Sequence, residues 1–100
     1  MKIENTFSFE INGAKFTFKR PTVKDLLQID KENPLNNIIL IMEKLVSVTG
    51  LEYSSGEAVG LEEVRSADLD VGTINLIMHG WNEQVAKLQG TSVESSEKKS

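Results

Sequence analysis

The sequence predicts an α+β fold, with one N-terminal β-hairpin packed on a bundle of three to four α-helices. Three observations carry this. Two phenylalanine-bearing runs alternate about an Asn12-Gly13 pair, the alternation breaks at Arg20-Pro21-Thr22, and the apolar residues beyond it recur at helical steps. One hundred residues suit a single domain, expected over residues 1–90, with a disordered tail over 91–100.

Each element has its own reason. Phe7, Phe9 and Ile11 alternate with Ser8 and Glu10, and Phe16 and Phe18 alternate with Thr17 and Lys19. That is the period of half-buried strands. Asn12 and Gly13 both tolerate positive φ, which tight hairpin turns require. All four phenylalanines can share one face, and that face needs an apolar cover, because an isolated hairpin is barely stable. Pro21 cannot donate to a strand ladder. Thr22 is placed to cap a helix over Val23 to about Lys31, with Asp25 reaching back to complete a capping box.

Asn33-Pro34 restarts the helical pattern, as cap and first helical residue. Leu35, Ile38, Ile39, Met42, Leu45 and Val46 then form a helical stripe, which Leu40, Ile41 and Val48 widen beyond one face. A short branched run such as IILIM is also compatible with a strand. The Pro start, the stripe and Gly50 as a stop favour one helix from Pro34 to about Gly50. A helix apolar on more than one side is either the central core element or a partner surface.

Residues 51–60 are polar and read as a loop, with a turn of helix expected around Leu61–Arg65. Ser66 or Asp68 then caps a last helix carrying Ile74, Ile77, Met78, Trp81, Val85 and Leu88, which Gly90 ends. Gly72 and Gly80 lie inside that pattern and weaken it by about 1 kcal/mol each relative to Ala. They read as places where another backbone comes close. TSVESSEKKS at 91–100 is small, polar and charged, hence the expected disorder.

Composition removes several function classes. There is no cysteine, so disulfides and thiolate chemistry are excluded. Fifteen acids oppose eleven Lys and Arg, a net charge of −4, and Lys15, Lys19, Arg20 and Lys24 sit among acids rather than forming a basic stripe. Nucleic-acid binding is therefore not expected. The apolar run Ile38–Met42 is too short to span a bilayer, and MKIENTFSFE is no signal peptide. A soluble, intracellular protein is expected.

No constellation points to catalysis. His79 is the single histidine and reads as a surface or half-buried helix residue. Gly56 and Gly60 lack the lysine of a phosphate loop. Glu62, Glu63, Asp68 and Asp70 read as helix-starting acids, with a divalent-ion site as the alternative. Trp81 reads as a core residue or as an interface anchor. Neither an enzyme nor a cofactor is expected.

The hairpin-to-helix start resembles the ubiquitin-like sulfur carriers. That family continues with two more strands and a C-terminal Gly-Gly, whereas here two helices are expected and the sequence reads Lys98-Lys99-Ser100 at its end. A fuller resemblance is to the small tail assembly chaperones of tailed bacteriophages and prophages. FSFEINGAKFTFKRPTVKDLL, PLNNIILIMEKLV and LEEVRSADLDVGTINLIMHGW match its hairpin, middle helix and late D-L segment in order, over Phe7 to about Leu88.

That resemblance implies no catalytic residues. It implies binding to the tape measure protein in the host bacterial cytoplasm, keeping a long helix-rich chain soluble during tail assembly. It also implies contact with the tail tube protein through a frameshifted longer product, for which codons around Glu97-Lys98-Lys99 are the candidate site. The expected partner-binding residues are Ile38, Ile41, Met42, Leu45 and Val48 on the middle helix, with Trp81 on the last. Excess helical apolar surface on a small core also points to self-association. A rival reading is an intracellular adaptor or regulatory module for one peptide partner.

Overall fold

A computed structural model of the chain describes residues 1–90, and the segment expected to be a disordered tail lies outside the described residues. The element order is β1 (Thr6–Ile11), β2 (Ala14–Lys19), α1 (Val23–Leu27), α2 (Pro34–Met42), β3 (Leu45–Thr49), α3 (Leu61–Arg65) and α4 (Val71–Leu88). The class is mixed α+β, as the sequence predicts. The sheet, however, has three antiparallel strands in the order β1-β2-β3, not two.

The hairpin forms as the alternation dictates. Asn12 and Gly13 turn at φ 50° and 87°, and the register sets Phe7 opposite Phe18 and Phe9 opposite Phe16. All four rings therefore lie on one face. Phe9 stacks on Phe16 and Phe18, with centroids 5.7 and 5.8 Å away. The opposite face is polar, and Ser8 and Thr17 are hydrogen-bonded across it at 2.8 Å.

Leu45–Thr49 corrects the single-helix expectation for residues 34–50. α2 ends at Met42, the chain turns through Glu43 and Lys44, and β3 pairs with β2, Leu45 opposite Phe18 and Val48 opposite Phe16. Pairing with the central strand satisfies this backbone and adds apolar cover beside the rings, which a continued helix would not do. Gly50 ends a strand rather than a helix. It sits at φ 76°, and a Cβ there would lie 2.8 Å from the Gly13 carbonyl oxygen.

The short helices are set by their caps. Thr22 and Asp25 form the expected capping box, with bonds of 3.0 and 2.9 Å. α1 ends at Leu27, four residues before the expected Lys31, because Asp30 leaves the helix: its N–H donates to Asn37 Oδ1 and its carbonyl accepts from Asn37 Nδ2, at 2.9 and 2.7 Å. α4 is capped by Asp70, which accepts from the Thr73 N–H at 3.0 Å, and not by Ser66 or Asp68. Those two residues finish α3 instead. Asp68 donates to the Glu63 carbonyl and Ala67 to the Val64 carbonyl, both about 2.8–2.9 Å, and Ala67 is held at φ 60°. This is a Schellman closure with alanine where glycine is usual.

The polar segment 51–60 is folded. Glu52 bridges Ala58, Val59 is buried, and the Tyr53 hydroxyl donates to Glu63 at the start of α3. One core joins the four rings with Ile41 and Met42 from α2, Leu45, Val59, Val64, and Ile74, Ile77, Trp81 and Val85 from α4. α4 crosses β1, and α3 lies against β3. The approach to Gly80 is made by a ring rather than a backbone, since a Cβ there would lie 2.5 Å from Phe9 Cε2.

Gly80→Ala should therefore destabilise the protein. Alanine favours a helix interior by about 1 kcal/mol, but overpacking against a ring already held by two others costs about 1–3 kcal/mol; a lowered urea midpoint at unchanged slope is the expected readout. Ala67→Gly should act in the opposite sense and raise the midpoint, because the left-handed backbone costs an L-residue about 1–2 kcal/mol.

Candidate partner-binding groove

α1 and α2 stand away from α4. The five residues of α1 include no buried side chain, yet Leu26 and the following Ile29 are half-buried and turn toward α4. α2 adds Ile38 and Ile41, and α4 adds Met78, Trp81 and Val85. Between them runs an open groove of about 630 Å³. An inner pocket of about 160 Å³ adjoins it, under α1 and the end of α2, with Pro21 and Leu40 in its wall. Leu26, Ile29, Ile41 and Trp81 line both spaces.

Sequence order explains how these side chains meet. α4 turns Ile74, Ile77, Trp81 and Val85 into the core. Met78, one step round the helix from Ile77, faces the opening. On α2, Ile41 and Met42 point inward while Ile38, a turn earlier, lies half-buried at the lip. The Asp30–Asn37 pair of bonds ties the α1–α2 connection to α2, and Asn37 is buried there with one amide N–H donating and its amide oxygen accepting.

The electrostatics divide the two spaces. At the inner pocket the Lys44 ammonium lies 3.6 Å from Asp25. The Asp25 carboxyl is held below its ordinary value of 3.8, mainly by the Thr22 backbone N–H and further by Lys44. Among the described residues, the open groove has no carboxylate in its lining. Its polar edge is made of the amides of Asn37, Asn75, Asn82 and Gln89 with the ammonium of Lys31.

Of the expected partner-binding residues, Ile38, Ile41 and Trp81 line the groove. Met42, Leu45 and Val48 do not. Met42 is fully enclosed, Leu45 is 3% exposed, and both Leu45 and Val48 lie on β3 beneath the sheet's apolar face. Leu26, Ile29, Met78 and Val85 are groove residues that the sequence reading placed only in generic apolar stripes. The signal for them was that Leu26 and Ile29 form a face too short to be buried by their own helix.

Other candidate chemistry stays apart. His79 is exposed, 3.7 Å from Glu83 on the same helix. Among the described residues no group of three or more His, Asp or Glu is gathered as metal ligands would be, and Glu63 and Asp70 serve as helix-start acceptors. No helix among the described residues is long and apolar enough to cross a membrane.

Comparison with protein-family models, with curated proteins and with solved structures yields no match. The groove is thus the feature from which a function has to be argued.

Met42→Ala and Ile38→Asp should separate core from groove. The first empties a fully buried site and should cost about 2–5 kcal/mol. The second removes partly buried apolar packing at the lip and should cost about 1–2 kcal/mol, less than the first, while abolishing whatever binding the groove supports. Chemical denaturation of both variants reads the difference.

Proposed function

We propose that this chain is a non-catalytic binding module, and specifically a phage or prophage tail assembly chaperone that holds apolar helical segments of the tape measure protein in the bacterial cytoplasm until tail tube subunits assemble. The observation that carries the reading is the open, largely apolar groove between α1–α2 and α4, with no carboxylate among its described lining residues. A chaperone for a helix-rich client needs an exposed apolar channel with rigid walls, since helix-in-groove recognition works through spaced apolar anchors. The groove supplies such a channel, its floor shared with the core through Ile41 and Trp81.

The three ordered sequence segments support the same reading independently of the groove. In order, they resemble the hairpin, middle segment and late D-L segment of the tail assembly chaperones, although the middle segment here ends its helix at Met42 and enters β3 at Leu45. The tail tube contact through a longer product remains part of the proposal. A slippery heptamer near codons 97–99, followed by an overlapping frame and a very long open reading frame, would support it.

The direct test is co-expression with fragments of the tape measure protein encoded beside this chain. Fragments with apolar helical stripes should move into the soluble fraction with the wild-type chain and stay insoluble with Ile38→Asp or Met78→Lys. If no fragment is kept soluble and the gene stands outside any tail cluster, the chaperone reading falls, and the adaptor for one peptide partner takes its place.

A further inference from the structure

The sheet has an open edge. β1 pairs with β2 on one side, and among the described residues no strand pairs with its other side. We propose that a second copy of this chain pairs there, β1 antiparallel to β1, about a two-fold axis at Phe9. This interface is independent of the chaperone reading, and it places self-association on a sheet edge rather than on helical apolar surface.

The register identifies the free backbone groups. The hairpin turn has two residues, so the Ile11–Ala14 pair that closes it is hydrogen-bonded, and bonded pairs alternate from there. Ile11, Phe9 and Phe7 therefore direct their N–H and C=O groups at β2. The Arg20 N–H, which donates to the Asn5 carbonyl at 2.8 Å, continues the same alternation. Thr6, Ser8 and Glu10 point the other way. The Thr6 carbonyl already accepts from Arg20 Nε at 3.0 Å. The N–H and C=O of Ser8 and of Glu10 are left without a backbone partner among the described residues.

Exposed edges are usually blunted by Pro, by Lys, by a bulge or by a covering element. β1 has none of these along its outer side. Its six residues, TFSFEI, hold no Pro and no Lys, and its register with β2 is unbroken. Its single charge, Glu10, lies opposite Lys15 of β2. The other edge strand differs, since the β2–β3 register shifts between Thr17 and Phe18 and α3 lies against β3.

The free groups select the register of the copy. With the axis at Phe9, Ser8 lies opposite the partner's Glu10 and Glu10 opposite the partner's Ser8. The free groups then satisfy one another, and Arg20 keeps the Thr6 carbonyl. An axis at Glu10 would set that carboxylate against its own copy, and an axis at Phe7 would set Glu10 against the partner's Glu4; like charges directly opposite destabilise a strand pair. An axis at Ser8 would direct Glu10 at the partner's Thr6, whose carbonyl is already engaged.

A second copy also suits the surface beside the strand. A strand pair alone is small against the roughly 1,200–2,000 Å² of a stable interface, so α4 has to contribute. Its flank bounds an open cleft of about 290 Å³ along β1, with Leu76, His79 and Glu83 beside Phe9 and Glu10. Leu76 is 51% exposed. The axis stands perpendicular to the sheet, so the two α4 helices share one face and run antiparallel. Gly80 lies on Phe9 and hence near the axis. Reversal about it brings the Leu76–His79 side of one helix to the Glu83 side of the other, which covers Leu76 and opposes His79 to a carboxylate. One two-fold contact closes both open edges and creates no new one. A foreign strand would carry an open edge of its own.

The test uses the full chain. Sedimentation equilibrium should give twice the chain mass of 11.1 kDa at protein concentrations up to about 1 mM, the weak end of specific association. Between dilute and concentrated samples the Ser8 and Glu10 amides should gain at least about tenfold protection from hydrogen exchange. Ser8→Pro removes an N–H that β2 does not use, a change that edge strands tolerate, and it should raise the dimer dissociation constant at least about tenfold while the dilute chain stays folded. Ser8→Glu sets a carboxylate opposite the partner's Glu10 and should loosen the dimer about threefold. In a Glu10→Gln background Ser8→Glu should have no effect, which separates the cross-strand pair from the overall charge of the chain.

A chain that stays monomeric throughout would overturn the proposal and leave the edge to a strand of another protein. A dimer indifferent to Ser8→Pro would overturn it by moving self-association to another face. A Ser8→Glu effect that persists with Glu10→Gln would overturn the register. Should Ser8→Pro fail to fold, amide protection and the Ser8→Glu cycle decide between these outcomes.

Discussion

Four phenylalanine rings on one face of a two-stranded ribbon set the terms for the rest of the chain. Each ring carries on the order of 150–200 Å² of surface that is costly to leave in water, and a hairpin cannot cover its own face. Phe16 and Phe18 are nearly or wholly enclosed, which requires material both above them and beside them. α4 supplies the cover above, and it comes close enough only because Gly80 lacks a side chain where Phe9 lies. β3 supplies the material beside them, with Leu45 and Val48 set against Phe18 and Phe16. α3 and the folded 51–60 segment then close the β3 side through Val59 and Val64.

What could be read from the sequence follows the range of the forces involved. The hairpin, its turn, the Thr22–Asp25 capping box and the long last helix are decided by neighbours within a few residues, and all are present as expected. β3 is decided by a partner about thirty residues away. Leu45 and Val46 continue the stripe of α2, so a local reading extends the helix. The branched LVSVT run before Gly50 carried the opposing signal, and it wins because β2 has a free edge. Gly50 was open to both readings, since a positive-φ glycine ends helices and strands alike. The early end of α1 has the same origin. Asp30 is drawn out by Asn37 seven residues on, a tertiary bond that no helix propensity encodes.

The groove was legible only in part for a related reason. Periodicity identifies which residues are apolar and share a face; it does not identify a space between two faces. It therefore selected Met42 together with Ile38, although the first is enclosed and the second lies at a lip. Trp81 was read as core or as anchor, and the geometry gives it features of both, 5% exposed yet lining the groove and the pocket. Leu26 and Ile29 line the groove from α1 and the connection that the Asp30–Asn37 bonds tie to α2.

Polar groups line the space between α1–α2 and α4 alongside the apolar ones. Closing α1–α2 onto α4 would bury apolar surface from Leu26, Ile29, Ile38 and Met78. It would also carry the Asn75 and Asn82 side chains toward a dry interior, where an amide without a partner costs about 1–3 kcal/mol. It would further strain the Asp30–Asn37 bonds and the Lys44–Asp25 contact that fix the connection. The open form thus trades apolar burial for satisfied amides. A partner helix escapes that trade if it covers the floor and leaves the rim amides at the water line. The groove thus sets a largely apolar floor beneath a rim of amides, with Ile41 and Trp81 shared between floor and core.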